Sequence, residues 1–380
     1  MSALTIDDLR TLSTSINRFI AEQHNFEKRR QTVANDTGFD VADWQRYADM
    51  GWLGLAIPEP MGGLGGGMAA LAVLMQAAGA GLLTSPLLAT LVLGAGAIEL
   101  AGDSTQQETF LPAVVAGEIT LALAHREAAA GHDLDGTRCL AKKSTDGYRL
   151  SGKKNLVLHG ATASHLVVSA RYGERGPVNL FMVDAGAPGL GLNTYRLLDG
   201  RPAADLVLDN VFVPEHNRLA TEDASAAIDQ LHQRAATASC AEACGAMSAL
   251  IDITLEYVKT RRQFGTAIGH FQVIQHRLVE MSIASQEATA ITGTAAIALD
   301  NAWPDSRRLV AAAKVRTSQA GRFIGEQGVQ LHGGMGMAEE LPVGTYLKLL
   351  LTNSSLFGDA DWHREVFDYQ NSTINEEKVA

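Results

Sequence analysis

Tyr257, Lys259 and Arg261 close a long apolar-patterned segment, and the guanidinium of Arg261 can pair bidentately with a pyrophosphate. Just beyond it, Phe264 can pack on the flat face of a nucleotide, and the amide of Gln272 can donate and accept hydrogen bonds. Farther on, the glycines of Gln330-Leu331-His332-Gly333-Gly334-Met335-Gly336 remove side chains where backbone amides could meet phosphate oxygens. Glu242 is the only acid between Asp229 and Asp252 and stands among Ala, Cys and Gly. A carboxylate in such a run is a satisfied helical polar group, a subunit contact or a proton acceptor. Each residue also has an ordinary reading, with Arg261 as surface charge, Phe264 as core and Gly333-Gly334 as a helix stop.

The elements that must position these groups follow from periodicity. Ala227 to about Thr260 lacks proline, and similar stretches run from about His270 to Asp300 and from about Asp305 to Leu331, so the C-terminal part reads as a helix bundle. Between Thr120 and Pro214 the pattern turns to short β-type runs, such as Leu166-Val167-Val168-Ser169-Ala170 and Leu180-Phe181-Met182-Val183, separated by turn formers. Before that the chain is helical, with Leu9, Leu12, Ile16, Phe19 and Ile20 as its first apolar stripe. These changes divide it into a helical domain at 1–119, a β domain at 120–223 and a helical bundle at 224–380. The loop from Ile57 to Gly67 is too glycine-rich for a helix and serves either as a connector or as a place where a ligand nears backbone.

Composition narrows the function. A net charge of -11 over 380 residues argues against nucleic acid or an anionic membrane as principal partner, so any phosphate site is local. The apolar stretch around Leu71 to Ile98 is broken by Ser85-Pro86 and fits buried helices better than a membrane span. The residues from Met1 to Gln23 show no secretory pattern, and a cytoplasmic location is expected. Cys139, Cys240 and Cys244 cannot form a disulfide framework; Cys240 and Cys244 read as packing residues, and no metal site is expected.

In order along the chain, several motifs together resemble the acyl-CoA dehydrogenase family. They are Met50-Gly51-Trp52-Leu53-Gly54-Leu55-Ala56-Ile57-Pro58-Glu59, Gly62-Gly63, Phe110-Leu111-Pro112, Tyr257 through Gly265, His270-Phe271-Gln272 and Gln330 through Met337. The resemblance spans essentially the whole chain. It implies an N-terminal all-α domain, a middle β-sandwich or barrel and a C-terminal four-helix bundle. It also implies FAD as cofactor, an acyl-CoA substrate oxidised between Cα and Cβ, and an electron-transfer flavoprotein as acceptor. By the same resemblance Arg261, Phe264, Gln272, Gln330, Gly333 and Gly334 bind an FAD held mainly by a neighbouring subunit, so the protein is a homo-oligomer or a heterotetramer with a second, related chain.

The chain departs from the family at four places. Phe357 stands before Gly358 where many members carry the glutamate that takes the α-proton. A second family solution puts that glutamate on the helix before the Arg-x-x-Phe-Gly motif; Glu242 lies on that helix, roughly two turns from the most familiar position. Where relatives often read Thr-Glu-Pro-Gly near the flavin, this chain reads His125-Arg126-Glu127-Ala128, and Leu158 replaces a threonine whose hydroxyl lies near the flavin ring. Asp359 and Asp361 take positions that face cofactor in relatives, and two carboxylates near a pyrophosphate would be repulsive unless paired or displaced. By resemblance, then, His125, Arg126, Leu158, Gly358 and Asp359 join the cofactor-binding set. These departures look most like a subgroup including the small subunit of pimeloyl-CoA-type dehydrogenases and the steroid side-chain enzymes, several of them heteromeric. Three functions are consistent with this: a dehydrogenase subunit using Glu242, a partner chain without its own chemistry, or a flavin monooxygenase or oxidase on the same fold.

Overall fold

The computed structural model describes residues 4–131, 133, 136–173 and 175–379, with backbone alone for Ile6 and residues 370–379. Helices come first: α1 (Ile6–Gln23), α2 (Phe26–Ala34), α3 (Val41–Asp49), α4 (Gly67–Ala80), a π-helical stretch Leu88–Ala95 running into α5 (Gly96–Ala101), and α6 (Ser104–Val115). Strands follow: β1 (Leu121–Ala124), β2 (Leu140–Ser144), β3 (Gly147–Leu158), β4 (His165–Tyr172), β5 (Val178–Asp184), β6 (Leu190–Arg196) and β7 (Pro202–Pro214). Helices then return as α7 (Ser225–Thr260), α8 (Gln272–Asp300), α9 (Ser306–His332), α10 (Val343–Ser355) and α11 (Ala360–Val379), with a two-stranded hairpin, Arg262–Gln263 against Thr266–Ala267, between α7 and α8. The expected architecture of helical, curled-sheet and helical parts is present. Among the described residues α7 alone is long and apolar enough to cross a membrane, and 67% of its most apolar window is buried, as in a core helix.

Contacts group the chain into two units. The first comprises 32–67 and 84–235 and is built on a seven-stranded sheet in the order β1-β4-β2-β3-β7-β6, with β5 on the other edge of β4. β1 and β2 run parallel to successive stretches of β4, and the other pairs are antiparallel. Alternate residues of the curled sheet, among them Leu150, Val168, Phe181, Leu206 and Val211, close a core on one face. The Ile57–Gly67 loop is folded back on itself in this unit: Leu64, Gly65 and Gly66 donate their amides to the carbonyls of Gly54, Ile57 and Leu55 at 2.7–2.9 Å.

The second unit comprises 4–31, 68–83 and 236–380. Its core gathers Met247, Leu250, Met281, Ile324, Tyr346 and Leu350 from α7 to α10, and Cys240 and Cys244 pack within it as expected. At the N-terminus of α4 the carboxylate of Asp300 accepts from the amides of Met68 and Ala69 at 2.6 and 2.9 Å, capping a helix start that has no acidic residue of its own. α4 and α7 cross at backbone contact, because each brings a glycine to the crossing. A Cβ on Gly245 would overlap the carbonyl of Gln76, and one on Gly79 the carbonyl of Glu242.

That crossing sets a test. Gly245→Ala forces two backbones apart and is expected to cost about 3 kcal/mol, lowering the thermal midpoint by on the order of 5–10 °C. Gly293→Ala, on α8 with open space around it, should leave the midpoint level or slightly higher. Equal midpoints for the two variants would contradict the close crossing.

Candidate cofactor and catalytic residues

In the first unit, the segment leaving β1 carries His125, Arg126 and Glu127. The register of β3 against β7 shifts between Lys154 and Val157, and this bulge turns Asn155 toward that segment. Asn155 donates its backbone amide to the Arg126 carbonyl at 2.8 Å and accepts from the Ala128 amide at 3.0 Å. Lys154 is driven inward to 0% exposure. Its ammonium reaches Glu127 Oε1 at 2.7 Å, Ser169 Oγ at 2.9 Å and the His125 carbonyl at 3.2 Å. Glu127 also accepts from the amides of Arg138 and Cys139 at 2.9 and 3.0 Å. Burial pulls the Lys154 ammonium below the usual lysine range, and Glu127 opposes that pull. His125 is half-buried, with Nδ1 3.0 Å from Ser169 Oγ, while Arg126 is exposed.

At the far end of β3, Leu158 is buried and offers no hydrogen-bonding group. The next residue, His159, is buried in a left-handed conformation, φ 55°, edge-on to Phe39 at 6.3 Å. Burial first, then the cations of Arg201 and Arg196, push its imidazole down to about 3.

In the second unit, Glu242 is 2% exposed in the middle of α7. Its Oε2 accepts from Asn353 Nδ2 of α10 at 2.8 Å. The backbone carbonyl of Asn353 in turn accepts from Lys314 of α9, whose buried ammonium is pushed down to about 8 by loss of hydration, with Cys240 and Asp359 acting the other way. Phe357 is half-buried and packs against the apolar cluster of Cys240, Ala295 and Val310. Gly358 follows at φ 88°, where a Cβ would overlap the Trp362 ring. The Asp359 carboxylate caps α11, accepting from the amides of Asp361 and Trp362 at 3.1 and 2.9 Å, and Asp361 pairs with Arg364. The charge problem anticipated at these two acids is met locally.

The remaining candidates surround the ends of α7 and α9. Tyr257 stacks on His332 with centroids 4.3 Å apart and donates its hydroxyl to the His332 carbonyl at 3.3 Å, joining the two helix ends. Arg261 directly follows α7 and Gly333 directly follows α9. Arg261, Gln272 and Gln330 are exposed, and Phe264 is 92% exposed, edge-on to Phe271 at 6.2 Å. Gly333 adopts φ 60°, and a Cβ at either Gly333 or Gly334 would meet nothing within 4 Å. A cation, an outward aromatic ring, two amides and an uncovered glycine backbone fit a dinucleotide such as FAD. Sequence reading missed Lys154, Ser169, Lys314 and Asn353. Lys314 left a signal, a lone cation flanked at helical spacing by Val310, Ala311, Ala313 and Thr317. Lys154, beside the exposed Lys153, left none.

His159 yields a pH prediction. An unfolded histidine binds a proton near pH 6.5, whereas folded His159 does so only near pH 3, so its contribution is complete above about pH 6.5 and drains as pH falls. The slope is about 1.4 kcal/mol per pH unit between those limits. Urea midpoints at pH 7, 5 and 4 should fall less steeply in His159→Gln than in the parent. Parallel profiles would show that the buried imidazole is not the source.

Comparisons with known proteins agree along the chain. Residues 7–118, 122–211 and 225–368 match the N-terminal, middle and C-terminal domains described for acyl-CoA dehydrogenases. Rice mitochondrial isovaleryl-CoA dehydrogenase (Oryza sativa subsp. japonica) is 29% identical over 91% of this chain and 87% of its own. A solved variant of the Tcur3481–Tcur3483 steroid acyl-CoA dehydrogenase is 30% identical over 98% of this chain and 99% of that one, with a TM-score of 0.87. The ChsE4–ChsE5 complex from Mycobacterium tuberculosis is 25% identical over 98% and 99%, with a TM-score of 0.88. The chain belongs to the acyl-CoA dehydrogenase family, FAD enzymes that are oxidoreductases acting on CH–CH groups.

Proposed function

We propose that this chain is a subunit of an FAD-dependent dehydrogenase that converts an acyl-CoA thioester to its 2-enoyl-CoA, with Glu242 as the base, in assembly with a second acyl-CoA dehydrogenase-like chain. The observation that carries the reading is the water-excluded Glu242 carboxylate held by the Asn353 amide, on the one long helix where a substitute for the missing base before Gly358 is expected. A carboxylate out of water suits proton abstraction from carbon, because no hydration shell must be stripped as the proton moves. Asn353 orients the carboxylate, which would take the α-proton. FAD, when bound, accepts the hydride leaving Cβ. By the family resemblance Arg261, Phe264, Gln272, Gln330, Gly333 and Gly334 of the second unit would bind an FAD held mainly by a neighbouring subunit, and His125, Arg126 and Leu158 of the first unit would contact a flavin ring; Gly358 keeps a side chain from the turn where Asp359 begins α11. An electron-transfer flavoprotein would serve as the electron acceptor.

The second chain is supported by the two-component names of both solved relatives and by the exposed Phe264, Met335 and Met337, apolar groups at the helix ends suited to a neighbouring subunit. A steroid side-chain acyl-CoA is the first substrate to try, following the printed description of one of those relatives. The packed Phe357 favours one other reading, a chain that lends residues to a partner's flavin and has no base of its own.

Glu242→Gln separates them. The variant should keep its flavin and lose acyl-CoA-dependent bleaching by about 10²–10⁴-fold. Bleaching at the parent rate would remove Glu242 from the chemistry, and a parent chain that never bleaches even with its partner's own base disabled would favour the lending role.

A further inference from the structure

We propose that Tyr257 is a positioning residue for the cofactor: clasped to His332, it holds the Gly333–Gly334 turn at the end of α9 in fixed relation to Arg261, so that guanidinium and glycine backbone meet one FAD together. This rests on the reading of Arg261, Gly333 and Gly334 as cofactor contacts.

α7 and α9 both end at these residues, within the second unit, and their ends are joined in a specific way. Tyr257 lies one helical turn before Arg261, whose amide closes that turn on the Tyr257 carbonyl at 2.8 Å. The tyrosine ring stacks on His332, the last residue of α9, with centroids 4.3 Å and planes 27° apart, and its hydroxyl donates to the His332 carbonyl at 3.3 Å. His332 is itself held. It is buried, and its Nδ1 lies 2.8 Å from the Gly328 carbonyl, which can only accept, so Nδ1 carries the proton and ties the ring to its own helix one turn back. Burial pulls this imidazole below the ordinary histidine value, with the Gly328 carbonyl opposing. Tyr257 therefore meets a ring whose direction is already set.

The turn after His332 is anchored to α9. Gly333 leaves the helix at φ 60° and ψ -140°, a conformation open to glycine, and its amide closes on the Gln330 carbonyl. Gly336 folds the turn back on the same helix, where a Cβ would come within 2.6 Å of the Val329 carbonyl. Over Gly333 and Gly334 a Cβ would meet nothing within 4 Å among the described residues, so the place of this backbone relative to Arg261 follows from the place of α9 against α7. Two features bring those helices together here. One turn back from His332, Gly328 admits Leu250 of α7, where a Cβ would lie 3.0 Å from the leucine methyls. At the very end stands the Tyr257 clasp. A tyrosine supplies both of its parts, an aromatic face for the stack and a hydroxyl that reaches a carbonyl where intrahelical donors run out.

The test uses the full-length chain in the assembly in which it purifies, stripped of flavin, checked for unchanged mass by light scattering and titrated with FAD. Tyr257→Phe keeps the stack and loses the hydroxyl bond; it should weaken FAD binding about three- to tenfold. Added to Arg261→Gln, the same change should cost clearly less, because the turn then has no guanidinium to be aligned with. Parent affinity in Tyr257→Phe, or equal losses in both backgrounds, overturns the proposal. Hydrogen exchange of the flavin-free assembly locates the cause: Tyr257→Phe should speed exchange in peptides covering residues 328–338 and leave those covering 240–250 at the parent rate. Faster exchange throughout the bundle would make Tyr257 merely structural and overturns the proposal as well. Failure of the underlying cofactor reading looks different: exchange at 328–338 responds to Tyr257→Phe, yet Arg261→Gln and Gly334→Ala both bind FAD as tightly as the parent.

Discussion

The Lys154 ammonium is out of water, and each of its three protons needs an acceptor that the fold must bring to it. Burying an unpaired ion costs several kcal/mol, so the partners are structural requirements. They come from separate places: Glu127 and the His125 carbonyl from the segment leaving β1, and Ser169 from the middle of β4. Strand alternation aims Lys154 inward, and the β3 bulge that follows it presents Asn155 to the same segment. His125–Glu127 and Arg138–Cys139 are therefore joined at one charge, because Glu127 also accepts from the amides of Arg138 and Cys139. Here the charge is matched first, and His125 stays half-buried beside it.

The second unit meets a different constraint with different means. α4 and α7 touch at Gly79 and Gly245, and the contact places the Glu242 backbone against α4 with little room for adjustment. The carboxylate turns to the Asn353 amide on α10, while Lys314 binds the carbonyl of the same asparagine. A carboxylate and an ammonium are thus buried on either side of one residue. The arrangement gives Glu242 a fixed direction, which is what a base acting on carbon needs. Phe357, where many relatives carry their base, fills space in the helix core.

Much of this was legible before any coordinates. α7, α8 and α9 are long, unbroken by proline and apolar at helical spacing, and their observed limits lie within a few residues of those read from the pattern. β2 and β6 were not legible. β6 is exposed at nearly every position along the sheet edge, and β2 carries Lys142 and Lys143, so neither shows the apolar alternation that marks a strand. Glu242 stood out as a lone acid in an apolar run, but Asn353 did not, since an asparagine near a helix end has no pattern to betray a partner more than a hundred residues away. Lys154 was hidden for a sharper reason: it keeps the inward parity of Tyr148 and Leu150, but a lysine beside an exposed lysine carries no apolar mark of the buried face. How Asp359 and Asp361 are paired was not legible, because helix capping and an i,i+3 ion pair are settled by backbone direction.

The central claim is α,β-dehydrogenation of an acyl-CoA thioester by a flavin that this chain helps to hold. Anaerobic titration of the flavin-loaded protein, purified with its partner chain, with acyl-CoA thioesters of straight-chain, dicarboxyl and steroid side-chain type tests it most directly, reading flavin absorbance and product mass together. The account predicts flavin bleaching matched mole for mole by a product lighter by two hydrogens. A flavin that stays oxidised under all three substrates, or a reduced flavin that reacts with oxygen to give a hydroxylated product and no enoyl thioester, would contradict it.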